Sequence, residues 1–249
     1  GLRKRADFFR RIVPHFERLD RLGVHYARSF YDVSGVARQG QLELSCQDSQ
    51  AVIRYTEDGQ EPHTGSKRYR KPFTPHRSGI VRARAFTEKT ALGKSTSFPF
   101  AVHKALGKPY TLSYAPDRYT GGGPHALTDG QTGAARHWAK WVGLVNHDFD
   151  PVIDLGRVTS VKRVVTHFID HKSSWIYPPR SIGVWLSKDG NSFTQVASMQ
   201  VAAASDQPLQ TVVMEWEETE ARYVKLVASA FGVIPEGAAG AGNGAWLFI

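Results

Sequence analysis

The spacing of apolar residues changes once along the chain, and this change limits the folds that the sequence can adopt. In the first 25 residues the apolar side chains recur every three or four positions, which places them on one face of a helix. These side chains are Phe9, Ile12, Val13, Phe16 and Leu19. From about residue 31 onward apolar and polar residues alternate, as in strands that have one buried face. We therefore predict one amphipathic helix followed by a mainly β chain.

Two residues affect the course of the predicted helix. Pro14 lies inside the helical pattern and should kink or restart the helix, because proline has no backbone N–H. Gly23 is expected to cap the C-terminus. A lone amphipathic helix cannot bury its own apolar face. We therefore expect it to pack on the next module or on a domain outside this chain.

The first β region covers about seventy residues and predicts a small sandwich at 31–104. Its alternating segments are 41–46, 51–56, 80–86 and 95–102. Between the second and third segments, Asp58-Gly59 predicts a turn, because glycine readily adopts a positive φ.

The second β region follows a Gly- and Pro-rich linker at 103–125 and predicts an antiparallel sandwich or jelly roll at 105–249. No helical pattern interrupts its strands, and Asp189-Gly190 predicts a hairpin turn. The segment 236–246 is interpreted as a flexible loop. The predicted strands are 151–156, 161–169, 181–187, 192–198, 210–216 and 221–229.

Charge and composition exclude some classes of protein. The net charge is +9, concentrated in the first 105 residues. The basic residues of the β region alternate with apolar ones, as Arg82 and Arg84 do. This alternation indicates a solvated sheet face, so no nucleic-acid partner is predicted. The single cysteine, Cys46, cannot form a disulfide within the chain and is expected to be a small buried residue. The sequence contains no run of about 18 apolar residues, so no transmembrane segment is predicted.

The motifs of common catalytic sites are missing from the sequence. There is no Walker loop, no His-Glu-x-x-His and no Gly-x-Ser-x-Gly. Acidic residues cluster at 215–220, where paired carboxylates at a sugar pocket would be one interpretation and a solvated strand end another. The second interpretation is favoured, so we expect no enzyme activity from this chain.

Two stretches resemble parts of family 20 glycoside hydrolases, the β-N-acetylhexosaminidases. The stretch HFERLDRLGVHYARSFYDV at 15–33 is similar to the end of their catalytic barrel. The stretch 53–73, with the VRARAF strand, is similar to the small sandwich that follows this barrel. Its matching residues are Tyr55, Thr56, Asp58, Gly59, Pro62, Ser66, Tyr69, Pro72 and Phe73.

Three later stretches resemble a discoidin-like module, the coagulation-factor type C or galactose-binding-like fold. They lie at 126–143, 152–164 and 179–198. Family 32 carbohydrate-binding modules share this fold. The resemblance implies three regions, which are a last barrel helix at 1–30, a small sandwich at 31–104 and a discoidin-like domain at 105–249.

The order of these regions implies a piece of a bacterial exo-β-N-acetylhexosaminidase that is secreted or periplasmic. Its partner would then be the catalytic barrel of the parent chain, and both ends of this chain are interpreted as cut. In that family an adjacent Asp-Glu pair carries out catalysis, and no Asp-Glu dipeptide occurs here. A non-catalytic accessory region is therefore expected. A stand-alone carbohydrate-binding module or a protein-adhesion module stays open as an alternative.

The discoidin-like resemblance also implies two sites. A structural calcium is expected near the Leu-Thr-Asp-Gly loop, although Asp129 alone would also serve as a turn cap. Its ligands would be Asp129, Ala126 and Thr132. A glycan ligand is expected on loops at one end of the sandwich, with aromatic faces and hydrogen-bonding groups. The candidates are Trp175, Tyr177 and Trp141 for the faces, and His147, His171 and Arg180 for the hydrogen bonds. Trp138 is expected to pack in the core, and Trp185 to lie on a sheet face or an interface.

Overall fold

The computed structural model describes residues 2–116, 118–132, 137–202 and 207–249, without the side chains of residues 2–6, 9 and 10. The chain divides into two compact units, Gly1–Val102 and His103–Ile249. Both units are built mainly from antiparallel strands, which confirms the predicted β class. Among the described residues, none of the helices is both long and apolar enough to cross a bilayer.

The first unit begins with the long helix α1, Leu2–Arg21, which continues through Pro14 without a break. Gly23 ends it at φ +65°, a left-handed conformation that glycine adopts without steric cost. The Gly23 N–H donates to the Asp20 carbonyl at 3.1 Å, and the Val24 N–H donates to the Leu19 carbonyl at 3.0 Å. This pair of bonds is a Schellman motif, which confirms the predicted C-cap.

The apolar face of α1 packs on the segment that leads into the first sheet. Phe16 stacks on Tyr26 with ring centroids 4.6 Å apart and contacts Phe30 at 5.7 Å and Tyr31 at 5.8 Å. Phe30 and Tyr31 are buried. The helix therefore packs on the module that follows it, one of the two predicted alternatives. The side chain of Phe9 lies outside the described residues.

The strands of the first unit form a two-stranded sheet, β1-β2, and a four-stranded antiparallel sheet in the order β4-β3-β5-β6. The strands β1 to β6 are Ser34–Arg38, Gln41–Ser45, Val52–Thr56, Lys67–Arg68, Gly79–Phe86 and Thr96–Phe100. Alternate residues of β5 face the core, and the guanidinium groups of Arg82 and Arg84 between them pair with Glu61 at 3.3 and 3.2 Å. Cys46 is only partly buried.

The second unit is a β-sandwich of two antiparallel sheets, in the orders β12-β11-β13-β10-β7 and β14-β9-β8. Its strands β7 to β14 are Tyr110–Thr111, Tyr119–Thr120, Val142–Val145, Val152–Ile169, Ser181–Ser187, Thr194–Gln200, Leu209–Ala228 and Trp246–Phe248. Apolar side chains from both sheets meet in one core, for example Leu144 and Leu247 with Phe168 and Val184.

Four predicted strands merge into the two long strands β10 and β13. They pair along most of their length, with irregularities between Asp154 and Thr159 and between Val161 and Arg163. Gly156 adopts φ +84° within the first irregularity, and its N–H donates to the Asp154 carboxylate at 2.7 Å. A bulge of this kind bends a strand without ending it, so the sequence pattern looks interrupted while the strand continues.

The predicted hairpin turn at Asp189-Gly190 is confirmed. The Ser192 and Asn191 N–H groups donate to Asp189 Oδ1 at 2.9 and 2.8 Å, and Ser187 Oγ donates at 2.9 Å. These hydrogen bonds favour the charged carboxylate and lower the pKa of Asp189 to about 2. The turn joins β11 to β12, the two strands at one edge of the larger sheet.

Candidate functional site

The loop that follows β10 presents an aromatic side chain in an unusual backbone conformation. His171 and Ile176 close the loop through two backbone hydrogen bonds of 2.9 and 3.2 Å. Between them Lys172–Ser174 form a 3₁₀ turn, and Trp175 ends it at φ +64° and ψ 20°. A left-handed conformation costs about 1–3 kcal/mol for a bulky residue, so the surrounding contacts must impose it.

Trp175 is held against two other segments of the second unit. Its indole lies beside Gly240, where a Cβ atom would come within 2.3 Å of Trp175 Nε1. The Trp246 N–H donates to the Trp175 carbonyl at 2.8 Å, and the Tyr177 N–H donates to the Trp246 carbonyl at 2.9 Å. We name the loop 170–176, with Gly240 and Trp246, the Trp175 platform. Because Trp175 is 38% exposed there, the platform offers an indole surface to solvent.

A cluster of aromatic and aliphatic side chains supports the platform from below. Its buried members are Trp141, Ile169, Ile176 and Phe248, and Tyr119, Trp138, Leu209 and Trp246 pack against them. Trp246 meets Phe248 edge to face at 5.9 Å and Tyr119 at 5.1 Å. Edge-to-face rings of this kind stabilise one arrangement of the side chains. The loop therefore rests on a packed base.

Polar groups accompany Trp175 in the same loop. The His171 ring lies 5.9 Å from the Trp138 ring, and His171 Nδ1 is 3.4 Å from Ser173 Oγ. Lys172 Nζ contacts the buried Asp170 carboxylate at 3.1 Å. An indole surface beside imidazole, ammonium and hydroxyl groups provides the two kinds of contact that a sugar ring requires.

Two of the predicted hydrogen-bonding residues make contacts elsewhere in the second unit. The His147 ring stacks on Tyr114 with centroids 3.4 Å apart. The guanidinium of Arg180 lies 5.6 Å from the centroid of the Phe231 ring and donates to the Phe231 carbonyl. The structure thus brings His171 into the loop of Trp175, whereas His147 and Arg180 are held by Tyr114 and Phe231.

The structure corrects two of the predicted aromatic faces. Tyr177 and Trp141 are each only 3% exposed, so neither ring offers a face to a ligand. Tyr177 stacks on Phe231 at 4.5 Å and packs with Ile234. Trp141 immediately precedes β9 and packs in the supporting cluster. Both rings are large apolar groups beside strands of the smaller sheet, so burial is their more favourable state.

The predicted metal loop contains a partly buried carboxylate, that of Asp129. Asp129 follows the 3₁₀ turn Ala126–Thr128, and its Oδ1 accepts the Gln131 N–H at 2.7 Å. Burial raises the pKa of Asp129 to about 6, although the Gln131 N–H and the Lys140 charge act in the opposite direction. A nearby cation would stabilise such a desolvated carboxylate.

The other ligands of a cation would have to be mainly backbone oxygens. Over the described ranges, no three His, Cys, Asp or Glu side chains converge in a metal-binding group. The Thr132 hydroxyl faces His167 Nε2 at 3.4 Å. A calcium ion accepts carbonyl oxygens, so the carbonyls of Ala126 and Thr132 fit it in chemical type.

Sequence reasoning missed two members of the platform. Gly240 lies in the run of small residues at 236–246, for which the sequence predicts a flexible loop, and Trp246 ends that run. The structure instead starts β14 at Trp246 and buries Ala245. A tryptophan directly after a run of small residues was the one available signal of an ordered segment.

Comparison with protein families identifies the second unit. The family model of the F5/8 type C domain matches residues 111–243. The chain belongs to this family. A second model, the chitobiase/β-hexosaminidase C-terminal domain, matches residues 33–97. The two matches confirm the predicted resemblances of the small sandwich and of the discoidin-like module. The F5/8 type C domain contains the whole loop of Trp175.

Solved structures similar to this chain include chitosan-binding module 2 of a Paenibacillus sp. IK-5 chitosanase/glucanase, in complex with chitotriose. It has 19% identity and a TM-score of 0.36, with 59% of this chain and 98% of that chain covered. A Clostridium perfringens CBM32 module in complex with GalNAc-β-1,3-galactose has 15% identity and a TM-score of 0.35, with 56% of this chain and 93% of that chain covered. The C-terminal domain of a Bacteroides fragilis chitobiase has 16% identity and a TM-score of 0.34, with 56% of this chain and 89% of that chain covered. The search of curated proteins gave no match.

Proposed function

We propose that the second unit binds glycans through the Trp175 platform and that the chain acts as a non-catalytic accessory region. The observation that carries this proposal is the conformation of Trp175, which is both left-handed and 38% exposed. Strained residues of this kind are enriched at functional sites, where the surrounding structure holds them in place. An exposed indole held in this way suits the apolar face of a sugar ring.

The contacts around Trp175 define the class of ligand. His171, Lys172 and Ser173 supply hydrogen-bonding groups to sugar hydroxyls beside the indole. Lys172 is paired with the buried Asp170, which limits the net charge of the platform. We therefore favour glycans that contain neutral sugars or N-acetylated amino sugars.

The parent protein is proposed to be a bacterial exo-β-N-acetylhexosaminidase, secreted or periplasmic, whose catalytic barrel is the partner of this region. The match of residues 33–97 to the chitobiase/β-hexosaminidase C-terminal domain supports this proposal. The accessory units would hold substrate near the barrel and raise its local concentration.

The binding test is calorimetric titration of the full chain with N-acetylchitotriose, N-acetyllactosamine and galactobiose. We expect millimolar or tighter binding of at least one of them, and at least about a tenfold loss of affinity in Trp175→Ala, equivalent to about 1.4 kcal/mol. Phe8→Ala is the matched control, because Phe8 is an aromatic residue of the first unit that is 51% exposed. Equal binding by Trp175→Ala and by the unmutated chain would contradict the proposal.

The accessory role is tested by hydrolysis of a nitrophenyl N-acetyl-β-glucosaminide. We expect no turnover by this chain, because the adjacent Asp-Glu pair of the family does not occur in its sequence. Turnover that persists after the protein is repurified would contradict a non-catalytic role.

We further propose that calcium binds at Asp129 with the carbonyls of Ala126 and Thr132. Without calcium, the raised pKa of Asp129 means that the folded chain binds a proton more tightly than the unfolded chain. The stability from this group is therefore complete below about pH 4 and is lost as pH rises through about 6. Calcium would restore it above that pH.

The calcium test is thermal unfolding of the unmutated chain and of Asp129→Asn from pH 4 to 8, with calcium or with a chelator. Asparagine keeps the acceptor for the Gln131 N–H and removes the charge. With chelator we expect Asp129→Asn to be more stable than the unmutated chain above pH 6, by an amount on the order of 2 kcal/mol. Calcium should stabilise the unmutated chain and not the variant. An equal calcium effect on both proteins would show that the ion binds at another site.

A further inference from the structure

A second indole lies on the outer face of the larger sheet of the sandwich. Along β11 the side chains of Ile182, Val184 and Leu186 are buried in the core, so Trp185 points to the opposite face. Trp185 is partly exposed, and its six-membered ring covers Gly183. A Cβ atom on Gly183 would lie 2.4 Å from Trp185 Cη2, so only glycine lets the ring lie this close to the strand.

An irregularity in the sheet occurs at this indole. Val184 pairs with Ala197 of β12, whereas Trp185 pairs with Gln195, so Val196 is an extra residue between them. A bulge of this kind locally increases the twist and re-aims the neighbouring side chains, and bulges are common beside binding sites. The bulge places Gln195 directly across from the indole.

The ring borders a groove of about 370 Å³ on this sheet face. The residues that line it are Ser181, Ile182, Gly183, Trp185, Gln195, Ser198, Met199, Gln200, Val227 and Ser229. None of these residues is ionisable, and five carry a neutral amide or hydroxyl. The volume falls within the range of small-ligand sites, about 300–1,000 Å³.

We propose that this groove, which we name the Trp185 groove, is a second binding site for a neutral sugar chain. A ring face held flat, with amides and hydroxyls on both sides, matches the alternation of C–H faces and hydroxyl groups on a pyranose. The lack of ionisable groups in the lining favours an uncharged ligand, because a charged ligand would lose hydration without gaining a partner.

The direction of the strands sets the direction of the ligand. The lining residues of β11 extend from Ser181 to Trp185, a distance of roughly 13 Å at the usual strand rise. This length exceeds one pyranose ring, so a short chain lies along the groove. Lys225 pairs with Trp185 on the β13 side but is not among the residues that line the groove.

The Trp185 groove does not depend on the Trp175 platform. Its residues come from β11, β12 and the end of β13, whereas the platform comes from the loop after β10 and from β14. A single F5/8 type C domain would then hold two sugar sites, and a long glycan that reaches both would bind more tightly than either site alone.

The test uses the full chain labelled with 5-fluorotryptophan, which gives one fluorine resonance for each of its six tryptophans. Trp175→Phe and Trp185→Phe assign the two resonances of interest. The probes are the hexaoses of N-acetylglucosamine, glucose, galactose and xylose, each raised to about 10 mM, a concentration at which dissociation constants of a few mM are detected. We expect the Trp185 resonance to shift with at least one hexaose and to keep shifting in Trp175→Ala.

A second variant examines the polar lining without removing the reporter. Gln195→Ala with Ser198→Ala should weaken the Trp185 response at least about fivefold while the Trp175 response stays unchanged. Thr211→Ala is the control, because Thr211 is an exposed strand residue outside the groove lining. An equal effect of the control and the double variant would overturn the proposed contacts.

The outcomes separate this inference from the proposed function. A shift of Trp175 alone overturns the Trp185 groove and leaves the platform standing. A shift of Trp185 alone supports the groove and contradicts the platform, and no shift of either resonance overturns both. A Trp185 shift that follows protein concentration without sugar assigns the face to self-association and overturns the sugar site.

Discussion

Two tryptophans of the second unit each lie against a glycine, but the backbone allows the contact in different ways. Trp175 reaches Gly240 from a loop, and both residues have a positive φ, +64° and +83°. Trp185 covers Gly183 within one regular strand, where neither residue has a positive φ. Backbone strain therefore positions the Trp175 ring. The Trp185 ring is positioned instead by the space that Gly183 leaves free, because glycine has no side chain.

The difference indicates how each surface responds to change. A strained loop stores free energy that is released when glycine replaces the bulky residue. A flat ring on a strand stores none, and any atom added beneath it must displace the ring. The two surfaces should therefore show opposite stability responses, and three experiments address this contrast.

The largest effect is expected from Gly183→Ala. The new Cβ would lie 2.4 Å from the Trp185 ring, so the ring must lift or the strand must move. Overpacking of this kind costs about 1–3 kcal/mol, and we expect about 2 kcal/mol in urea unfolding. In Trp185→Ala the same glycine substitution should cost much less, since no ring remains to be displaced. Equal costs in the two backgrounds would show that the Trp185 ring does not cause the destabilisation.

A change of opposite sign is expected from Trp175→Gly. Glycine adopts the left-handed conformation freely, so the variant should be as stable as the parent or more stable by about 1 kcal/mol. Its affinity for glycan should fall as in Trp175→Ala. Trp185→Gly is the matched change on the strand, and there we expect destabilisation only. If Trp175→Gly lowers stability by more than about 1 kcal/mol, the loop is not strained.

The smallest effect separates backbone strain from ring contact at Gly240. Gly240 and Gly242 have the same φ of +83°, but a Cβ atom meets the Trp175 indole only at Gly240. Both alanine variants should lose about 1 kcal/mol from the unfavourable backbone conformation. Gly240→Ala should lose roughly a further 0.5 kcal/mol and change the Trp175 fluorescence, since the exposed ring can rotate away. Identical unfolding curves and spectra would show that the ring does not rest on Gly240.

Much of the fold follows from residue spacing and turn chemistry. The strand Ser181–Ser187 has its predicted bounds, and Gly23, Asp189 and Gly190 have their predicted turn conformations. The spacing failed where a bulge interrupts the alternation, because the strand continues past Gly156. It also failed for β9, only four residues long, where the Phe248 ring needs Gly143 beneath it.

The candidate site was only partly predictable. A tryptophan among polar residues in a loop pointed to Trp175, and the structure exposes it. The same reasoning failed for Tyr177, two residues later, because burial there depends on Phe231, which is distant in sequence. Residues 236–246 carry no periodic pattern, so their contact with Trp175 could only come from the tertiary fold.

The hydrogen bond from the Trp246 N–H to the Trp175 carbonyl makes one backbone amide a gauge of loop opening. Its proton can exchange with solvent deuterium only when the loop separates from β14. Occupation of the indole by a ligand would keep the loop closed and slow that exchange. The protection of this single amide therefore measures, in hours of deuterium uptake, how firmly the second unit holds its aromatic surface.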